Sequence, residues 1–354
     1  MSSDGSSDNP FGSCPAPLTQ TDDILLAHGS GGKLTAQLIE KLLLPAFRNP
    51  LLEPLEDQAV VPVNGGRIAF TTDSYVVTPI FFPGGDIGEL AVNGTVNDLA
   101  VGGARPLFLS LAFILEEGFP IADLRRVVES VRRASERANV QVVTGDTKVV
   151  NRGKGDKIFI NTAGIGEMLL GARLSSARVQ QGDAVLVSGT IGDHGITILS
   201  QREGIELGGG FMSDTAPLHE LVATMLAAFP DIHAMRDLTR GGLAASLVEI
   251  ASRRNIGMSI DERAIPVRDE IRGACEILGL DPLLVANEGK LVAFVPESGS
   301  AAVLEAMRRH PLGCDAARIG TVTATRPGLV IARTPIGGQR IVDLPYGEAL
   351  PRIC

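Results

Sequence analysis

A chain of 354 residues is long enough for two domains with separate cores, and its net charge of −9 argues against a broad nucleic-acid surface. Apolar residues make up 44% and aromatics only 4%, with no Trp, so the core must be mostly Ala, Val, Ile and Leu. No stretch is long and apolar enough to span a bilayer, and the start lacks the basic and apolar regions of a secretory signal. Cys14, Cys275, Cys314 and Cys354 form no CxxC and no zinc-finger spacing, so the expectation is a cytoplasmic protein with reduced thiols.

In chain order, residues 1–20 are rich in Ser, Asp, Gly and Pro and are expected to be disordered. Helical spacing appears over Lys33–Phe47 through Leu34, Leu38 and Leu42. Strand-like runs follow at Arg67–Thr72 and Leu107–Ile114. The helix Ile121–Ala138 sets Leu124, Val127, Val128 and Val131 against Arg and Glu. Two more strands are expected at Val140–Thr144, which looks buried, and at Lys157–Ala163. A link carrying Gly171 and Arg173 leads to a second alternating run. It holds strands Ala184–Ser188, Leu291–Val295 and Leu329–Ala332, and helices Leu218–Phe229, Thr239–Arg254, Arg268–Leu278 and Ser298–His310. The reading is an α+β pair of domains, 21–170 and 171–342, with a mobile tail over 343–354. Pro345, Gly347 and Pro351 break that tail, which ends on the thiol of Cys354 and could reach about 30 Å if extended.

Three clusters carry candidate chemistry. The run His28–Lys33 (HGSGGK) opens a helix. Gly31 and Gly32 let backbone amides approach an anion and Lys33 adds a charge, although the run is not a Walker A loop; a plain flexible turn is the alternative. Asp73, Asp98, Asp146 and Asp237 each stand beside Gly, Thr or Asn in an apolar context, where a single Asp would read as a cap or turn residue. If they converge, carboxylates about 4 Å apart repel by roughly 4 kcal/mol at an effective dielectric near 20, so the group calls for a divalent cation, and oxygen donors suit Mg²⁺. Loop and carboxylates thus point to one ligand, a Mg-nucleotide. Lys148 and Glu288 could form a proton-transfer pair or be surface charges, and His194 could stabilise charge or, the preferred reading, cap a helix.

The segments HGSGGK, TTDSYVVTP, NGTVNDLAVGGARP, VTGDTKVV, INTAGIG, GTIGDHG, DLTRGGLA, ANEGK and the ending PRIC, in this order from about residue 22 to the last, resemble the HypE family of hydrogenase maturation proteins. That family lies in the PurM/aminoimidazole ribonucleotide synthetase-like superfamily. The resemblance implies an N-terminal α/β ATP-binding domain that forms a homodimer through its sheet, a C-terminal α/β domain, and ATP and Mg²⁺ in a groove at the dimer interface. It implies that HypF, a carbamoyltransferase, loads the terminal thiol, that an ATP-dependent dehydration converts the thiocarboxamide to a thiocyanate, and that the cyano group passes to the HypC–HypD complex. By position, the metal would fall to Asp73, Asp98 and Asp237. The nucleotide would fall to Gly31, Gly32, Lys33, Asp86, Gly145 and Asp146, and the chemistry to Cys354, Lys148 and Glu288. Asp57 departs from the superfamily pattern, since Glu-Asp-Gln-Ala stands where Asp-Asp-Ala is usual. Two other readings stay open: another ATP-dependent superfamily enzyme, of the thiamine-phosphate kinase or selenophosphate synthetase type, and a nucleotide-binding scaffold without turnover. Whether the tail rests inside or outside the site also stays open.

Overall fold

Two sheets organise the chain in a computed structural model that describes residues 24–204, 210–345 and 353–354. The segment expected to be disordered, 1–20, and residues 346–352 of the tail lie outside the described residues.

After the glycine loop, α1 (Lys33–Leu38) runs through a π-helical turn at Ile39–Leu43 into the short α2 (Leu44–Phe47). Pro45 offers no N–H to the turn before it, which accounts for the widened hydrogen bonding inside the expected helix. The first sheet then assembles from β1 (Ala59–Val63), β2 (Gly66–Tyr75), β5 (Ala104–Glu116), β6 (Gln141–Val150) and β7 (Ile158–Met168), in the order β1-β2-β7-β5-β6. Between β2 and β5 come the two-residue strands β3 (Phe81–Phe82) and β4 (Gly85–Asp86) and the helix α3 (Ile87–Val101). Strands β5 and β6 are parallel and joined over α4 (Ile121–Arg137); the other pairings in this sheet are antiparallel.

Period-two alternation gives this sheet two unlike faces. Along β7, Ile158, Ile160 and Thr162 are buried on the inner face, against α3, while Asn161 and Ile165 are exposed on the outer one. The register sets Ile165 between Phe70 and Phe108, and these three stand 38%, 43% and 41% exposed, an apolar stripe across the outer face. The expectation of a buried strand at Val140–Thr144 is corrected here. Strand β6 pairs only with β5 among the described residues, at the edge of the sheet, and Gln141–Val149 are exposed along its whole run. Valine-rich composition reads as burial, but no other described strand covers this edge.

The second sheet has the order β14-β13-β10-β12-β8-β11-β9. Its members are β8 (Ala184–Val187), β9 (Ala234–Asp237), β10 (Gly257–Asp261), β11 (Leu291–Val295), β12 (Ala317–Thr323), β13 (Val330–Arg333) and β14 (Gln339–Val342). Both faces of β8 and β11 are buried. On one side the core includes α6 (His219–Ala228) and α9 (Glu297–Arg309); on the other it includes α7 (Gly242–Arg254). Two further helices, α5 (Asp193–Glu203) and α8 (Asp269–Leu278), pack on each other. Helix α3 is apolar nearly all round because it is covered twice, by the first sheet and by α6 and β9. That position sets Asn93, Asn97 and Asp98 between the two halves.

Candidate active site

Three elements bring the predicted metal aspartates together. Asp73 lies on the inner face of β2, opposite buried Thr162; Asp98 sits in the last turn of α3; Asp237 ends β9. Thr71 Oγ1 lies 2.7 Å from Asp98 Oδ2 and 2.9 Å from the main-chain oxygen of Asp57. Burial pushes all three carboxyls upward, foremost for each. Asp73, Asp237 and Asp57 raise Asp98 further, and Asp57 and Asp73 raise Asp237. Opposing them are Arg240 and the hydroxyl of Tyr75, which donates to Asp73 Oδ2 at 3.2 Å. Asp57, set aside by its sequence context, belongs to this cluster. Its burial and its neighbours Glu56 and Glu249 lift it to about 6 despite an ion pair with Arg236.

The mutual repulsion is the mark of acids that ionise readily only beside a cation. In the arrangement seen here, no three His, Cys, Asp or Glu side chains among the described residues are close enough to share one ion. The donor set itself, oxygens only and short of counter-charge, fits a hard divalent cation.

The chain's own end reaches this cluster. Ile353 is buried against Tyr75, Val77, Phe82 and Ala286. The main-chain N–H of Val76 donates to the Cys354 oxygen at 3.0 Å, and His194 Nε2 lies 2.7 Å from the Ile353 oxygen. Farther up the tail, Pro345 accepts from the Lys33 amide at 3.2 Å. Among Ser30, Arg240, Ala286, Pro345 and Ile353 only a crevice of about 10 Å³ remains. Burial pushes the Cys354 thiol up to about 12; Glu288, Asp73 and Asp237 add to the shift and Arg240 opposes it. The described ends of the tail, Pro345 and Ile353–Cys354, are seated against the site.

Glu288 stands beside that thiol. Its amide bonds Asp214 Oδ1 at 2.9 Å and its carbonyl accepts from Asn97 Nδ2 at 3.3 Å, which ties it to α3. Its Oε1 is buried with no hydrogen-bond partner among the described residues. Burial, followed by Asp237, Asp214 and Asp73, raises its carboxyl well above the usual range.

The remaining candidates divide. Lys33 pairs with Asp343 at 2.6 Å, and the loop before it lies on Arg240, whose Nη1 donates to the Gly29 oxygen at 2.9 Å. Gly31 has φ +77°, and a Cβ there would approach the Arg240 oxygen to 2.9 Å, so this glycine is required by both conformation and space. The loop thus cradles the tail. Asp86 is the N-cap of α3: Oδ1 accepts from the amides of Gly88 at 2.8 Å and Glu89 at 3.0 Å, and Oδ2 bonds Ser130. Gly145, Asp146 and Lys148 are on β6, where Asp146 pairs with Ala112 and Lys148 with Ile114, residues of the outer face. Asp146 and Lys148 are exposed and bonded to each other at 3.0 Å, so in one chain they lie on the opposite side of the sheet from Asp73. His194 is not a cap, since Gly192 holds that position in α5. Arg240, Tyr75 and His194 enter the site through long-range partners that no local motif announces, although DLTRGGLA, TTDSYVVTP and GTIGDHG did contain them.

The AIR synthase related protein family matches this chain twice, its N-terminal domain over residues 55–168 and its C-terminal domain over residues 180–332. A carbamoyl dehydratase HypE from Azotobacter vinelandii is 55% identical over 329 residues, 93% of this chain and 96% of that protein. The chain belongs to the HypE family of carbamoyl dehydratases. A HypE–HypF complex contains a chain that superposes with a TM-score of 0.83 at 46% identity, covering 87% of this chain and 99% of that one. A HypE in complex with ATP superposes at 0.79 with 50% identity, covering 94% and 100%. The two-sheet, PurM-like architecture expected from the motifs is the architecture of these HypE structures, and the family places the chain among enzymes of hydrogenase maturation.

Proposed function

We propose that this chain uses ATP to dehydrate an S-carbamoyl group carried on its own Cys354. The product is the thiocyanate that supplies the cyanide ligands of the [NiFe] hydrogenase iron. The observation that carries this reading is the seated C-terminus, which holds Cys354 beside Glu288, Arg240 and the aspartate cluster.

In the reaction the amide oxygen of –S–C(=O)–NH₂ attacks the γ-phosphorus and ADP leaves. The C–O bond then breaks with loss of phosphate, and the nitrogen gives up two protons to leave –S–C≡N. Asp73, Asp98 and Asp237, with Asp57 adjacent, would hold Mg²⁺, which when bound neutralises phosphate charge. Glu288 would act as the proton acceptor in its ionised form, which Arg240 favours and a cation bound at the neighbouring aspartates would favour further. Arg240 favours negative charge developing near Cys354.

A homodimer built on the outer face of the first sheet follows from the exposed stripe Phe70, Ile165 and Phe108. In it Gly145, Asp146 and Lys148 would serve a site completed by a second copy. The glycine loop, with Lys33 freed from Asp343, and Asp86 remain candidates for the nucleotide side. HypF as the carbamoyl donor is supported by the HypE–HypF complex, and ATP by the ATP-bound HypE. The HypC–HypD complex is proposed as the acceptor. No helix among the described residues is long and apolar enough to cross a membrane, and a cytoplasmic setting is proposed with the reduced thiols.

Intact mass analysis of the carbamoylated protein, with and without Mg-ATP, tests this. The expected result is loss of one water mapped to residue 354, and no carbamoyl adduct at that position on Cys354→Ala. An adduct that survives Mg-ATP leaves the scaffold reading; ATP turnover that persists in Cys354→Ala with an added small-molecule acceptor leaves the kinase reading.

A further inference from the structure

Residue His194 has a hydrogen-bond pattern that admits one neutral arrangement. The Ile353 oxygen can only accept, so Nε2 carries the proton and donates at 2.7 Å. Nδ1 is then an acceptor, and it lies 2.7 Å from Ser213 Oγ, whose hydroxyl donates to it. Ser213 Oγ in turn accepts from the Thr215 amide at 3.2 Å. The imidazole is fully buried, and Phe82 meets it edge-on with ring centroids 5.6 Å apart. The hydrogen bonds from His194 and Val76 to the tail's last two residues are made to main-chain oxygens and not to the sulfur.

The Ser213 segment is itself fastened to three parts of the site. Its amide donates to the Pro83 oxygen at 2.9 Å, Asp214 Oδ1 holds the Glu288 amide, and Asn97 Nδ2 of α3 donates to the Ala216 oxygen at 3.1 Å. The hydrogen-bond chain from Thr215 to Ile353 therefore fixes the tail relative to Glu288.

We infer that His194, oriented by Ser213, is the latch of the tail: a positioning residue that sets how much of the time Cys354 occupies the site and where its sulfur stands against Glu288. Because it reads only backbone, the latch holds the bare and the carbamoylated tail alike. It rests on the proposed function only for its effect on turnover; its effect on seating stands apart.

The test separates the two. Iodoacetamide labelling, mapped by peptide mass, gives the alkylation rate of Cys354 in the nucleotide-free protein, with buried Cys275 as an internal gauge of general loosening. Losing a buried hydrogen bond and stranding its carbonyl should raise the Cys354 rate about tenfold in His194→Ala, with the Cys275 rate unchanged. His194→Gln, whose side-chain amide can donate from about the same place as Nε2, should return the rate to within about threefold of the parent. Ser213→Ala keeps the ring and removes only its orienting partner, so it should give a smaller rise in Cys354 labelling. In the same variants the rate of Mg-ATP-dependent water loss should fall as Cys354 labelling rises, with the KM for ATP held. If Cys275 also speeds up in His194→Ala, that variant is merely unfolding, and Ser213→Ala decides. Unchanged Cys354 labelling in Ser213→Ala, with His194→Ala either unchanged or generally loosened, overturns the latch. Faster labelling in a protein whose parent never loses water would keep the latch and sink the proposed function.

Discussion

At the scale of single residues, the site is a contest between burial and charge. Glu288 would bind its proton tightly in this setting, and that is the property a terminal base needs once a cation and substrate arrive. Glu288→Gln should keep Cys354 loading by the partner and lower the rate of water loss by about 10² or more; single-turnover mass analysis reads both. Cys354 gives the pH sign. Its seated thiol titrates near 12, whereas a free thiol titrates at about 8.5, so the seated state holds its proton more tightly. Seating is at full strength below the free value and weakens as pH rises toward the seated one. The alkylation pH profile should therefore have its midpoint above that of a free thiol, and Glu288→Gln should move it down. Sequence pattern put forward Asp73, Asp98, Asp237 and Glu288, and the fold buries these four close to one another. The pattern could not separate Asp86 from them: an Asp before a helix looks the same whether it caps or ligates, and only the bonds to Gly88, Glu89 and Ser130 decide. The partner of Lys33, Asp343, lies 310 residues away, beyond any local reading.

At the scale of elements, the glycine loop and the tail are one unit. Gly32 has an ordinary φ of −94°, so a side chain there brings no backbone strain, but its Cβ would sit 2.7 Å from the Pro345 oxygen. Gly32→Ala should cost about 1–3 kcal/mol of unfolding free energy, as overpacking does, while loosening the tail's entry. A denaturant melt checks the first, and Cys354 labelling, expected to rise severalfold, checks the second; an unchanged labelling rate would place the tail elsewhere. Helices such as Ile121–Arg137 and Gly242–Arg254 were legible from spacing, whereas Ile87–Val101, apolar nearly all round, gave no such period. The helix Asp193–Glu203 was missed because its buried face is spread round the whole cylinder, with Ile196, Thr197, Ile198 and Ser200 all inside. The short strands Gly257–Asp261 and Gln339–Val342 take their identity from neighbours in the sheet, not from their own composition.

At the scale of the whole molecule, the inner face of the first sheet carries Asp73 and the outer face carries Asp146 and Lys148, so one copy does not unite them. If a second copy completes the site, Asp73→Asn and Lys148→Ala should each be inactive alone. Mixed and allowed to exchange, they should recover about a quarter of parent activity, since half the dimers are mixed and each of those has one intact site. Phe108→Glu, aimed at the exposed stripe, should abolish that recovery and run as a monomer in analytical ultracentrifugation. Recovery by simple mixing that survives Phe108→Glu would remove the sheet face from the argument.

The crevice of about 10 Å³ left beside the seated tail has a kinetic meaning. Pro345 and Ile353 line it, so the seated ends of the tail fill this side of the site. On the proposed reading the substrate arrives on a tether, and its effective concentration is set by the chain, not by the solution. Dehydration should then follow first-order kinetics with no saturation in the carbamoyl group and a rate constant independent of enzyme concentration. Throughput would depend on how often the tail leaves to trade its cargo, which makes the enzyme a relay whose clock is the departure of its own last residue.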